Sequence, residues 1–194
     1  MTIARRLLAA VLALLAAASL ALAEPPAARA YSQAELDQML APIALYPDPL
    51  LAQVLMAATY PLEIAEAARW SRANFALQGD DAVRAAQDES WDPSVKSLLA
   101  FPHLLQRMSD SPDWMRALGD AFLAQEPQVM DTVQQLRRRA QVAGNLQSDE
   151  QLYVQRQGDA ILLQPASPQY VFLDRKSTRL NSSHIQKSRM PSSA

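Results

Sequence analysis

The chain contains no cysteine, which excludes disulfide bridges, thiol nucleophiles and thiolate metal sites together. Histidine is nearly as scarce: there are two, and only His103 precedes residue 174. A lone histidine without a Glu-x-x-His partner builds neither a zinc centre nor a carboxylate-bundle metal site, so no metal and no cofactor is expected. The four glycines never gather into a phosphate-cradling loop or a nucleophile elbow. What remains is a chain that is 49% hydrophobic with 13 prolines, which must be stabilised by packing alone.

The two ends read differently from the middle. Arg5 and Arg6 precede the Leu/Ala run Leu7 to Leu20, and Ala21-Leu22-Ala23 closes it with a small-x-small pattern. That is the architecture of a secretory signal peptide over residues 1–23, with cleavage before Glu24 and no transmembrane helix left afterwards. Asp174 to His184 resembles, codon for codon, a one-frame translation of a common sequencing adapter, and Ser188 to Ala194 resembles its downstream part. Residues 174–194 are therefore read as a non-native disordered tail, the native sequence being cut after Leu173. Of the 18 Lys and Arg, 11 lie in residues 24–173, against 19 of the 20 Asp and Glu. A segment with a net charge of −8 makes a poor partner for nucleic acid or an anionic lipid surface. Peripheral membrane association needs a basic amphipathic helix, and none is evident.

Between the ends, prolines act as punctuation. Ser32-Gln-Ala-Glu35 forms a capping box that launches a first helix. Asp48-Pro49 reads as N-cap followed by first helical residue, and the pattern recurs at Tyr60-Pro61, Asp92-Pro93, Phe101-Pro102, Ser111-Pro112 and Glu126-Pro127. Gly79 and Gly144 suit helix ends. After Pro127, the residues Val129, Val133, Leu136, Ala140 and Ala143 form one apolar stripe, while Arg137-Arg138-Arg139 reads as a solvated face. Beyond Gly144, Leu152 to Val154 and Ala160 to Leu163 flank a Gln157-Gly158-Asp159 turn, and Tyr170 to Leu173 resembles a third strand whose severing exposes a sheet edge. The fold class is mainly α: an irregular bundle of short Pro-initiated helices followed by a small antiparallel β segment. The divisions are a flexible segment at 24–31, a helical domain at 32–144 and a β-rich segment at 145–173.

The runs Tyr46-Pro-Asp-Pro-Leu-Leu51, Leu55 to Pro61 with Glu63, Ala68-Arg-Trp70, Trp91-Asp92, Ser97 to Leu99 and Phe101-Pro102 resemble the bacterial exported proteins grouped as Domain of Unknown Function 3300. The resemblance covers roughly Ser32 to Leu173. It implies a Gram-negative envelope setting, in the periplasm or outer envelope, a helical N-terminal portion and no assigned activity.

Candidate chemistry is confined to a few side chains. Glu63 and Glu66 share a helix face, and Asp48 precedes them by a helix-hairpin distance. Such paired carboxylates suit an envelope glycoside or peptidoglycan hydrolase when held about 5 to 10 Å apart in a cleft. Tyr46, Tyr60, Trp70 and Trp91 are candidate stacking platforms, with core packing as the expected alternative. Lone His103 reads as a surface or capping residue. The reading that best fits these features is an exported binding or scaffolding module with an envelope protein or cell-wall partner, rather than an enzyme.

Overall fold

Five of the six proline signals start helices in the computed structural model, which describes residues 30–166. The elements are α1 (Gln33–Leu40), α2 (Asp48–Ala57), α3 (Pro61–Ala73), α4 (Asp80–Ala85), α5 (Pro93–Ser97), a 3-10 turn (Leu98–Ala100), α6 (Pro102–Asp110), α7 (Pro112–Val142), β1 (Leu152–Gln157) and β2 (Ala160–Pro165). The leader, the Tyr170 to Leu173 strand and the 174–194 tail lie outside the described residues.

Local chemistry explains the starts. At α1 the capping box is complete: the Ser32 hydroxyl accepts from the Glu35 N–H and the Glu35 carboxylate accepts from the Ser32 N–H. Tyr60, Phe101 and Ser111 adopt nearly the same backbone, with φ from −118° to −124° and ψ from 63° to 65°. The following proline bars each from the helical region, so the chain turns there and the helix begins at the ring. Asp48 departs from its expected role. It is the first residue of α2 rather than its N-cap, which is Pro47, and its carboxylate turns away to bind other partners. Gly79 precedes α4 instead of terminating α3; Gly144, with φ +73°, follows the end of α7 as expected.

The sixth signal kinks a helix instead of starting one. Pro127 lies inside α7, and Gln125 leaves helical geometry at φ −143°, ψ 39°, because the proline ring clashes with the preceding turn and offers it no N–H. The kink is used: the Gln125 side-chain amide accepts from the Tyr31 N–H at 2.5 Å and donates to the Tyr31 carbonyl at 3.1 Å, anchoring the entry to α1.

The helices enclose one apolar core. α1 packs along α7, α3 on α6, and α2 on both α5 and α7, burying Leu40, Leu51, Ile64, Leu105 and Leu118 among others. Gly119 lets α7 approach the end of α2 closely: a Cβ at that position would lie 2.3 Å from the Ala58 carbonyl oxygen. Trp114 packs against the same core and its indole N–H donates to the Met39 carbonyl at 2.9 Å.

β1 and β2 form an antiparallel hairpin in which Leu152 faces Pro165 and Gln157 faces Ala160. Gly158 has φ +61° and among the described residues no non-glycine residue has positive φ, the pattern of a type II′ turn. Leu152, Ile161 and Leu163 bury one face over Leu146 in a second, smaller cluster. The edge expected from a severed third strand rests on Tyr170 to Leu173, outside the described residues; side chains occupy part of the hairpin edges that are described. On β2, the Ile161 N–H donates to the Gln134 side chain and the Leu163 N–H to Asp48, while the Ile161 carbonyl accepts from Gln134 and Arg137. On β1, the Val154 N–H donates to the Ser148 hydroxyl and the Leu152 N–H to Asp149. Side chains thus occupy positions where another strand would pair.

Candidate functional site

The candidate residues separate into two places. Tyr60, Glu63, Glu66 and Trp70 belong to the start and body of α3, and they meet Trp91 and Asp92 at the entry to α5. Glu63 accepts from the Asp92 N–H at 2.6 Å, and Glu66 accepts from the Trp91 indole N–H at 3.2 Å. Trp91 is buried and stands edge-on to Trp70, with ring centroids 6.3 Å apart and planes at 84°, a favourable aromatic geometry. Asp92 caps α5 by accepting from both the N–H and the hydroxyl of Ser94. Those bonds, with a further one from the Tyr60 hydroxyl, hold the Asp92 carboxyl below its ordinary pKa. The negative charge of Asp92 in turn raises the Tyr60 phenol. Each carboxylate here has a fixed donor, an arrangement that ties α3 to the α5 entry.

Asp48 and Tyr46 lie at the other place, around Arg137. The guanidinium is 1% exposed. Its Nε donates to the Ala44 carbonyl at 2.8 Å, Nη1 to Asp48 at 2.6 Å and to the Ile161 carbonyl at 2.9 Å, and Nη2 to the Tyr46 carbonyl at 3.1 Å. Burying a cation costs several kcal/mol unless donors and charge are fully met, and here they are. The structure therefore corrects the reading of three solvated arginines. Arg137 is buried, Arg139 pairs with Asp37 at 2.6 Å, and Arg138 is exposed. Asp37 titrates below its ordinary value, chiefly through the Gln33 side-chain bond and then that of Arg139. The signal was present in the sequence: Arg137 falls four residues after Val133 and eight after Val129, on the buried side of α7, whereas Ala143 at the end of the proposed stripe is exposed.

Among the described residues no carboxylate lines the main cavity, which has a volume of about 430 Å³. Its wall combines the α1–α2 connection and α2 (Leu45, Tyr46, Leu50), the loop before α4 (Gln78, Gly79), the start of α6 (Phe101 to Leu104, with Arg107) and the link into β1 (Asn145, Leu146, Leu152). Tyr46 is the one candidate residue that reaches it. Sequence reasoning missed the cavity because its walls come from four separated stretches. Among the described residues no group of His, Asp or Glu is arranged to hold a metal ion, and no helix is long and apolar enough to cross a membrane.

A Pro-punctuated helical body with an edge-capped hairpin and an apolar cavity at their junction is the class of protein this geometry defines. Residues 32–180 match the family described as protein of unknown function (DUF3300), and the chain belongs to that family. It is also 56% identical over 119 residues to an uncharacterized protein of Escherichia coli (strain K12), YacH; the match takes in 61% of this chain but 19% of that relative's length. No solved structure shows significant similarity to the chain.

Proposed function

We propose that the protein is an exported binding module of the Gram-negative cell envelope and that it binds its ligand in the cavity between the helical body and the hairpin link. The observation that carries this reading is the cavity: about 430 Å³ falls within the range of roughly 300–1,000 Å³ common to small-molecule sites. The signal-peptide pattern of residues 1–23 supports export. A carboxylate hydrolase finds less support, because Glu63 and Glu66 hold structural donors, Asp48 serves Arg137, and none of the three lines the cavity.

The test is to express the full chain with its leader in a Gram-negative host and titrate the periplasmic product with the neutral fluorophore N-phenyl-1-naphthylamine. The expected results are an N-terminus at Glu24 and saturable one-site binding. Binding should be lost in Ala41→Trp, since Ala41 is an exposed residue of the cavity wall and its enlargement blocks the space without disturbing the core. An uncleaved cytosolic product overturns the export reading, and absence of saturable binding overturns the binding reading.

A further inference from the structure

Resting on that reading, we propose that the cavity takes a single-chain amphiphile with one acidic head group, its tail against the apolar wall and its head at Arg107 and His103. The apolar part of the wall is built from Leu45, Leu50, Phe101, Leu104, Leu146 and Leu152, a surface that favours a hydrocarbon tail, since polar groups laid against it would go unpaired. At roughly 30 Å³ for each water-sized group, the volume accommodates a chain of about a dozen carbons.

Charge selects the head group. Residues 24–173 carry 19 acidic side chains against 11 basic ones, yet among the described residues the charged side chain lining the cavity is Arg107, accompanied by His103, with no Asp or Glu. The two sit four residues apart on α6, hence on one face, and both are exposed at the solvent side of the cavity. Neither has a hydrogen bond or ion pair among the described residues, and of the arginines without one (Arg69, Arg107, Arg138 and Arg156) Arg107 is the one that lines the cavity. Arg107 therefore has its planar donor fork available for a carboxylate or phosphate. The strongly negative net charge disfavours an anionic lipid surface but leaves this local cationic rim available to one acidic head. Phe75 and Leu77, 80% and 37% exposed, occupy the loop that continues into Gln78 and Gly79 of the wall, and they offer apolar surface beside the cavity for a longer tail.

The experiment is calorimetric titration of the full chain with dodecanoate, dodecyl phosphate, dodecanol and dodecyltrimethylammonium, each below its aggregation concentration, with Arg107→Gln as the paired variant. The expected order places one or both acids about threefold to tenfold tighter than dodecanol, the gain appropriate to a solvent-exposed ion pair with hydrogen bonds, and the two acid arms show which head group is preferred. Arg107→Gln brings the acids down to the dodecanol level, and decanoate binds about fourfold weaker than dodecanoate for each methylene removed. Equal binding of acids and dodecanol, or a preference for the ammonium, overturns the head-group assignment while the cavity remains a binding site. Failure of every amphiphile, together with failure of the neutral fluorophore, overturns the binding reading itself.

Discussion

The helical body and the hairpin are held in place by different physics. The body buries a continuous apolar cluster to which each of the helices α1 to α7 contributes, with Ile64, Leu98, Leu105, Met108 and Leu118 fully buried in it. The hairpin buries only Leu152, Ile161 and Leu163 over Leu146. Its attachment depends on polar groups instead: Arg137, Asp48 and Gln134 satisfy the outer edge of β2. Apolar packing tolerates loss of one contact in proportion to the volume removed. A buried charge tolerates loss of a partner poorly, because what remains is an uncompensated group in a poor solvent. The same junction carries the cavity, so the weaker form of attachment holds one of its walls.

The largest effect is expected from Arg137→Met, which leaves the Asp48 carboxylate and three carbonyls without their shared donor. Docking of the hairpin should weaken by about 3–5 kcal/mol, read by urea denaturation with a probe in the hairpin, and amphiphile affinity should fall with it. Leu105→Ala should cost about 2–5 kcal/mol but lower the stability of the whole body in one transition. If Leu105→Ala released the hairpin alone, the division between the two regions would be wrong.

Gly119→Ala comes next. Alanine is the better helix former by about 1 kcal/mol, but its Cβ would meet the Ala58 carbonyl at 2.3 Å, so a net loss of about 1–3 kcal/mol is expected, measured as a lower denaturation midpoint. Replacing Asp92 by Ala should cost about 1 kcal/mol as a lost N-cap.

Titration refines the picture at smaller scale. The Asp92 carboxyl lies below its ordinary 3.8, so the stability it contributes is present above that value and is lost as pH falls through the lower folded value. Asp92→Asn should therefore flatten the acid limb of a plot of Tm against pH. Tyr60 lies above its ordinary 10.0, so the folded state holds that proton longer and stability falls as pH rises from 10.0 toward the folded value. In Asp92→Asn that alkaline loss should shrink as well, because the charge that raises Tyr60 is gone.

Most of the helical body was legible because its signals are local. Ser32 and Glu35 make a cap within one turn, and a proline at position N+1 both stops the preceding helix and starts the next. Pro127 shows the limit of such reasoning: a proline signal kinks a helix instead of starting one where the segments on both sides, through Ala121 and Val129, pack into the same core. Arg137 sits in register with the buried Val129 and Val133, but that spacing was outweighed by the expectation that three consecutive arginines on a helix face water. What buries it is the convergence of Ala44, Tyr46, Asp48 and Ile161, all at least 24 residues away along the chain. The candidate aromatics gave a mixed outcome for the same reason. Trp70 and Trp91 found each other and Tyr60 joined their neighbourhood, but the cavity formed around Tyr46 from segments that no spacing rule connects.

Hydrogen–deuterium exchange of Arg137→Met compared with the unmodified chain tests the two-region account most directly. The account predicts that amides of residues 152–165 lose protection while those of α6 and the central turns of α7 keep theirs. Equal loss across both regions, or full retention in the hairpin, would contradict it.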